Sequence, residues 1–157
     1  MQIEKLKKKY STTQNPKLAK AYYKIENLID ALQKKEVSQG VWDVINTDIK
    51  IINAFIGTEK ALIKALKKTV VKILRFVEKE LEYVSKHHYR NQWMALGIGV
   101  LGVVFGTVFS SALGNYSFMG IGIPIGMAIG MAYGTTLDKK AEEEGRQLDL
   151  VCESELI

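Results

Sequence analysis

From Asn91 to Leu137 the chain carries no Asp, Glu, Lys or Arg, an unbroken run of 47 residues. A soluble domain turns part of any stretch this long toward water and places charges there. The run therefore excludes an ordinary single soluble globule, although the averages over 157 residues, 25% charged with a net charge of +5, resemble one. Those averages conceal a segregation. Residues 1–90 carry a net +9 and residues 138–157 a net −4, on either side of the neutral block.

A bilayer core about 30 Å thick needs roughly 20 apolar residues in a helix. The neutral block offers two such segments, 93–113 and 118–137, separated by the uncharged polar turn Gly114-Asn115-Tyr116-Ser117. The expectation is a transmembrane helical hairpin over 93–137. A buried hairpin in a soluble core is the alternative, and 157 residues are too few to hide one. The block lies near the C-terminus, which does not suit a secretory signal peptide. Lys86 and Arg90 precede the first span and Lys139 and Lys140 follow the second, so both termini are expected in the cytoplasm. Trp93, Tyr89, Tyr116 and Tyr133 fall near the membrane interfaces on this reading. Cys152 would lie in the reducing cytoplasm with no intrachain partner.

Gly122, Gly126, Gly130 and Gly134 repeat every fourth residue in the second span. A weaker series, Gly102, Gly106, Ser110 and Gly114, marks the first, with Ala95 and Gly99 on a neighbouring line. Residues four apart share a helix face, so each series makes a groove almost without side chains. In lipid, close backbone approach through such grooves gains the van der Waals contact that holds helices together. These eight residues are the expected helix-packing positions. They can join the two spans of one hairpin, or they can serve a homo-oligomer or a membrane protein partner, with Ala128, Ala132 and Thr136 as a second small stripe. Neither span contains a charged residue of the kind that marks ion paths, which argues against a wide pore. Thr107, Ser110 and Ser111 can each bond their own helix backbone, and Pro124 is expected to bend the second span.

Residues 1–14 read as a basic N-terminal arm, poorly ordered or a short helix. Residues 15–90 read as a cytoplasmic helical bundle. Asn15-Pro16 is a helix start, with Asn as cap and Pro at the first helical position. Leu18, Ala21, Tyr22, Ile25, Leu28, Ile29 and Leu32 then follow at helical spacing. Ser38 opens a second helix that ends at Gly57, and Thr58 caps a third whose Leu62, Leu66, Thr69, Ile73, Phe76, Val77, Leu81 and Val84 approach a heptad seam of coiled-coil type. The third helix shows no stop before Trp93, which predicts a stalk continuous with the first span.

Lys60, Lys64, Lys67, Lys68, Lys72, Arg75 and Lys79 cluster on that helix. With Arg90, they are expected to meet anionic membrane lipids. Nucleic acid suits the same charges, but no zinc spacing, paired aromatic motif or groove-reading helix accompanies them. His87-His88 point about 100° apart on a helix and suit a membrane-interface belt better than a shared metal. No nucleophile triad, phosphate loop or nucleotide fingerprint is present, so no catalytic, cofactor or metal residues are assigned and an enzyme is not expected. The acidic cytoplasmic tail, 138–157, extends the second helix to about Gly145 and is then expected to be solvated, ahead of folding back on the basic bundle.

The segment Gly122-Ile-Pro-Ile-Gly126-Met-Ala-Ile-Gly130-Met-Ala-Tyr-Gly134, with Asp138-Lys139-Lys140-Ala141 and Glu144-Gly145-Arg146-Gln147-Leu148 after it, resembles small bacterial inner-membrane proteins of the glycine-zipper type. His88-Tyr89-Arg90-Asn91 before the first span is similar to that group too. The likeness is best over the C-terminal third. It implies a multi-pass protein of the bacterial inner membrane and carries no activity with it. The expected fold is all-α, a cytoplasmic helical bundle followed by a two-helix transmembrane hairpin. The expected role is a structural, assembly or regulatory component, and the alternative is a membrane-perturbing or channel-like effector gated by the bundle.

Overall fold

The computed structural model describes residues 3–8 and 15–151. The chain divides into two compact units, Met1–Val84 with Leu148–Leu150, and Ser85–Gln147 with Val151–Ile157. Cys152 and residues 9–14 of the N-terminal arm lie outside the described residues.

The first unit is built on α1 (Pro16–Gln33), α2 (Gln39–Ala54) and α3 (Glu59–Leu81). Local chemistry places their starts. The Asn15 side chain accepts from the backbone N–H groups of Lys17 and Leu18 at 2.9 and 3.3 Å, and Pro16 occupies the position whose N–H needs no partner. Thr58 Oγ1 accepts from the Ala61 N–H at 3.4 Å. Ser38 starts α2 through its carbonyl, which accepts from Val41 and Trp42, and its side chain makes no cap bond. The apolar stripes meet in one core around Leu18, Tyr22, Ile25 and Leu32 of α1, Trp42, Ile45 and Ile49 of α2, and Leu62, Leu66 and Ile73 of α3. Asp48, buried on α2, accepts from the Lys72 ammonium of α3 at 2.6 Å.

Three features of this unit differ from the sequence expectation. Residues 3–8 are neither helical nor loose. Glu4 and Lys7 donate their N–H groups to the side-chain oxygens of Asn46 and Asn53, at 2.9 and 2.8 Å. Asn53 donates back to the Lys5 carbonyl at 2.9 Å, and Ile3 and Leu6 pack on the core. Secondly, α3 is no continuous stalk. It stops at Leu81, where Glu82 adopts a left-handed conformation (φ 56°), and His87 does so again (φ 61°) after the short strand β1 (Val84–Lys86). Thirdly, the tail is not solvated throughout. β2 (Gln147–Val151) pairs with β1, and Leu148 is fully buried in the core of the first unit.

The second unit is a helical hairpin. α4 (His88–Leu96), a π-helical turn (Gly97–Gly102) and α5 (Val103–Leu113) run on as one 26-residue rod, His88–Leu113. Gly114, at φ +62°, ends the rod in a conformation that glycine adopts without steric cost. The Asn115 side chain then accepts from the Ser117 N–H at 2.9 Å, and a 3-10 turn (Tyr116–Phe118) leads into α6 (Met119–Glu143). Pro124 is inside α6, in its second turn, so it withholds from the Gly120 carbonyl the N–H that would complete the helical ladder there. The helices extend past the expected spans, back to His88 and on to Glu143. Both rods are long and apolar enough to cross a membrane.

Candidate functional site

The hairpin closes on glycine. Gly122, Gly126, Gly130 and Gly134 are buried on one face of α6, and Gly97, Gly102, Gly106 and Ser110 are buried on the facing rod. A Cβ at Gly126 would collide with the backbone of Gly97 and Gly102, and one at Gly122 with Gly102 and Gly106. At Gly130 the obstacle is the carbonyl of Trp93. At Gly134 it is the Arg90 Cα at 2.5 Å and the Tyr89 carbonyl oxygen at 2.6 Å. Main chain therefore meets main chain for the length of the seam, which only residues lacking side chains permit.

The two faces are not matched in sequence, and the π-turn reconciles them. On α6 the seam residues recur every four. On the opposite rod they run Trp93, Gly97, Gly102, Gly106 and Ser110, with one interval of five. An unbroken four-residue repeat back from Gly106 would bring Ile98 and Met94 into the seam. One forward from Gly97 would bring in Leu101 and Phe105. The extra residue of the π-turn lets Gly97 and Gly102 both face Gly126.

Of the expected packing residues, Gly102, Gly106, Gly122, Gly126, Gly130 and Gly134 come together, and Ser110 is buried beyond them. Gly114 does not join them: it is the turn residue, and a Cβ there would meet nothing within 4 Å. Gly99 faces open space. Ser110 also departs from expectation. Its Oγ is buried with no hydrogen-bond partner, whereas Thr107 bonds the Val104 carbonyl at 2.8 Å. Ala128, Ala132 and Thr136 are exposed.

The seam ends on a residue that sequence reasoning assigned to the tail. Asp138 stands four residues after Gly134, on the same face, and is 6% exposed. Its two carboxylate oxygens accept from the backbone N–H groups of Tyr89 and Arg90, each at 3.0 Å. His87 makes no side-chain cap, so a carboxylate from α6 caps the N-terminus of α4 across the hairpin. A negative charge at that end also suits the helix dipole. The four-residue period runs 122, 126, 130, 134, 138, and that period is the signal that could have found it. The Gln147 side chain donates to the Asp138 carbonyl at 3.4 Å. Beside it the Arg146 guanidinium is held above its ordinary pKa, first by hydrogen bonding to Glu144 and then to Tyr89. Trp93 and Tyr133 stack edge to face across the seam, centroids 4.4 Å apart.

The basic residues expected at lipid headgroups occupy two settings. Lys60, Lys64, Lys67, Lys68, Lys72 and Arg75 are exposed on α3, with the Lys72 ammonium bound to Asp48. Arg90 is half-buried in the hairpin, its guanidinium donating to the Asn91 side chain at 3.3 Å. Among the described residues no three His, Cys, Asp or Glu side chains group in a way that could hold a metal ion. No protein-family model, curated protein or solved structure matches this chain.

Proposed function

We propose that this chain is a two-span integral membrane protein whose glycine-seamed hairpin anchors a small basic helical domain at the cytoplasmic face. On this reading it acts as a structural, assembly or regulatory component and not as an enzyme. The observation that carries the reading is the outer surface of the hairpin. Leu96, Val100, Val103, Val104 and Val108 on one rod, and Ile121, Ile123 and Ile129 on the other, are exposed. Only 22% of the apolar window of each rod is buried within the chain, whereas a core helix of a soluble protein is mostly buried. An apolar surface of that extent calls for lipid around it.

The flanking positive charges support cytoplasmic termini, and the resemblance to bacterial glycine-zipper proteins supports the inner membrane as the location. Because the glycines are engaged within the chain, self-association would run through the outward stripe of Ala128, Ala132 and Thr136. The seam offers little to a conducting reading, since backbone fills it and the sequence from Trp93 to Gly134 carries no charged residue.

Alkaline carbonate extraction of native membranes tests insertion, and labelling of Asn115→Cys against Cys152 tests topology. Retention in the membrane, with Asn115→Cys labelled from outside and Cys152 only after permeabilisation, is the expected result. Release by carbonate would overturn the proposal. Crosslinking in mild detergent tests self-association: Ala132→Leu should lower the dimer yield, while a strict monomer would end the oligomer proposal.

A further inference from the structure

The first unit presents one strongly charged surface that the hairpin does not explain. Lys60, Lys64, Lys67, Lys68, Arg75 and Lys79 are all exposed on α3. At 100° per residue they fall within roughly a third of the helix circumference. The arc runs about 28 Å along the axis. Glu78, half-buried, is the acid on the same arc, near its C-terminal end. Two apolar side chains accompany the charges. Val71, 47% exposed, sits in the middle of the arc, and Ile56, 95% exposed, stands in the connection four residues before Lys60.

We infer that the basic arc of α3, with Val71 within it and Ile56 at its leading end, docks on the headgroups of an anionic phospholipid bilayer. The inference rests on the proposed membrane anchorage and adds the partner of the bundle. Each lysine near such a surface strengthens partitioning about five-fold, and exposed aliphatic side chains enter the headgroup boundary. Covalent reach adds to the charge match. Six residues, 82–87, join the end of α3 to the first residue of α4, a span of at most about 25 Å. A surface held that close is present at high effective concentration. Nucleic acid fits less well: the arc holds five lysines to one arginine and carries no exposed aromatic ring on which a base could stack.

The test uses the full chain, with Cys152→Ser, reconstituted in bilayers of phosphatidylcholine alone or with phosphatidylserine. A spin label at Val71→Cys reports access to a water-soluble relaxant, and one at Asp30→Cys, exposed on α1, serves as reference. The expected result is shielding at position 71 that appears only with phosphatidylserine and fades in high salt. Lys64→Gln, Lys67→Gln and Lys68→Gln together should weaken the docking roughly a hundred-fold and restore access. Full access in both lipids, or equal shielding in both, overturns the inference while leaving the anchorage standing. So does shielding produced in neutral bilayers by an added RNA oligonucleotide and absent with phosphatidylserine. A chain that carbonate strips from the bilayers overturns the anchorage and this inference together.

Discussion

The two units of this chain are held together by opposite means. The bundle fills its interior with large side chains, and Trp42, Tyr22, Leu32 and Leu66 are among those fully buried. The hairpin is packed by their absence, with the main chain of one rod against the glycines of the other. On the proposed reading, with the bundle in water and the hairpin in lipid, the difference follows from what drives association in each setting. In water, burying apolar side chains yields roughly 25 cal/mol per Å² removed from solvent. In lipid the surroundings are already apolar, so a helix pair gains by bringing its backbones close. Large side chains accordingly point inward in one unit and outward in the other.

The sharpest way to break this comparison is to change residue size in both units. Leu66→Ala in the bundle should cost about 2–5 kcal/mol of stability, seen as a lower denaturation midpoint. In the hairpin the sign inverts: Gly130→Ala, which adds a single methyl, should cost about 1–3 kcal/mol because the atom it meets is the Trp93 carbonyl. A neutral Gly130→Ala would show that the seam is looser than its geometry. Asp138→Ala removes the shared cap of α4 and should cost about 1–2 kcal/mol, with faster amide exchange at Tyr89 and Arg90. Unchanged exchange at those two amides would assign the cap elsewhere. The smallest effect is expected at the break between the units. Glu82→Gly relieves a left-handed conformation at a non-glycine residue and should stabilise by about 0.5–1 kcal/mol.

What the sequence revealed and what it withheld divide along local chemistry. The starts of α1, α2 and α3 were legible because Asn15-Pro16, Ser38 and Thr58 precede apolar stripes of helical period. The α6 face was legible because four glycines at one spacing leave little else for a helix to do. The end of α3 was hidden, since Glu82 and His87 turn left-handed without the glycine that usually signals it. The π-turn was hidden as well. One inserted residue leaves no composition mark, so a four-residue period that the rod does not keep passes over Gly97 and reaches Gly114. Asp138 is the first charge after the neutral run, and by that pattern alone it reads as the start of a tail. Its burial depends on two N–H groups some fifty residues earlier, which no local pattern records. The extended segment 3–8 and the buried Leu148 likewise depend on distant partners, the side chains of Asn46 and Asn53 and the bundle core.

The central claim is that the glycine faces close the hairpin within one chain. The most direct test is the distance between spin labels at Val108→Cys and Ile121→Cys, both outward positions on opposite rods, in the reconstituted chain with Cys152→Ser. Gly126→Leu, facing the backbone of Gly97 and Gly102, should drive the rods toward the roughly 8–10 Å axial separation of side-chain-packed helices. Gly99→Leu, facing open space, should leave the distance as it is. Equal distances in the two variants, or a shift in Gly99→Leu alone, would contradict the account.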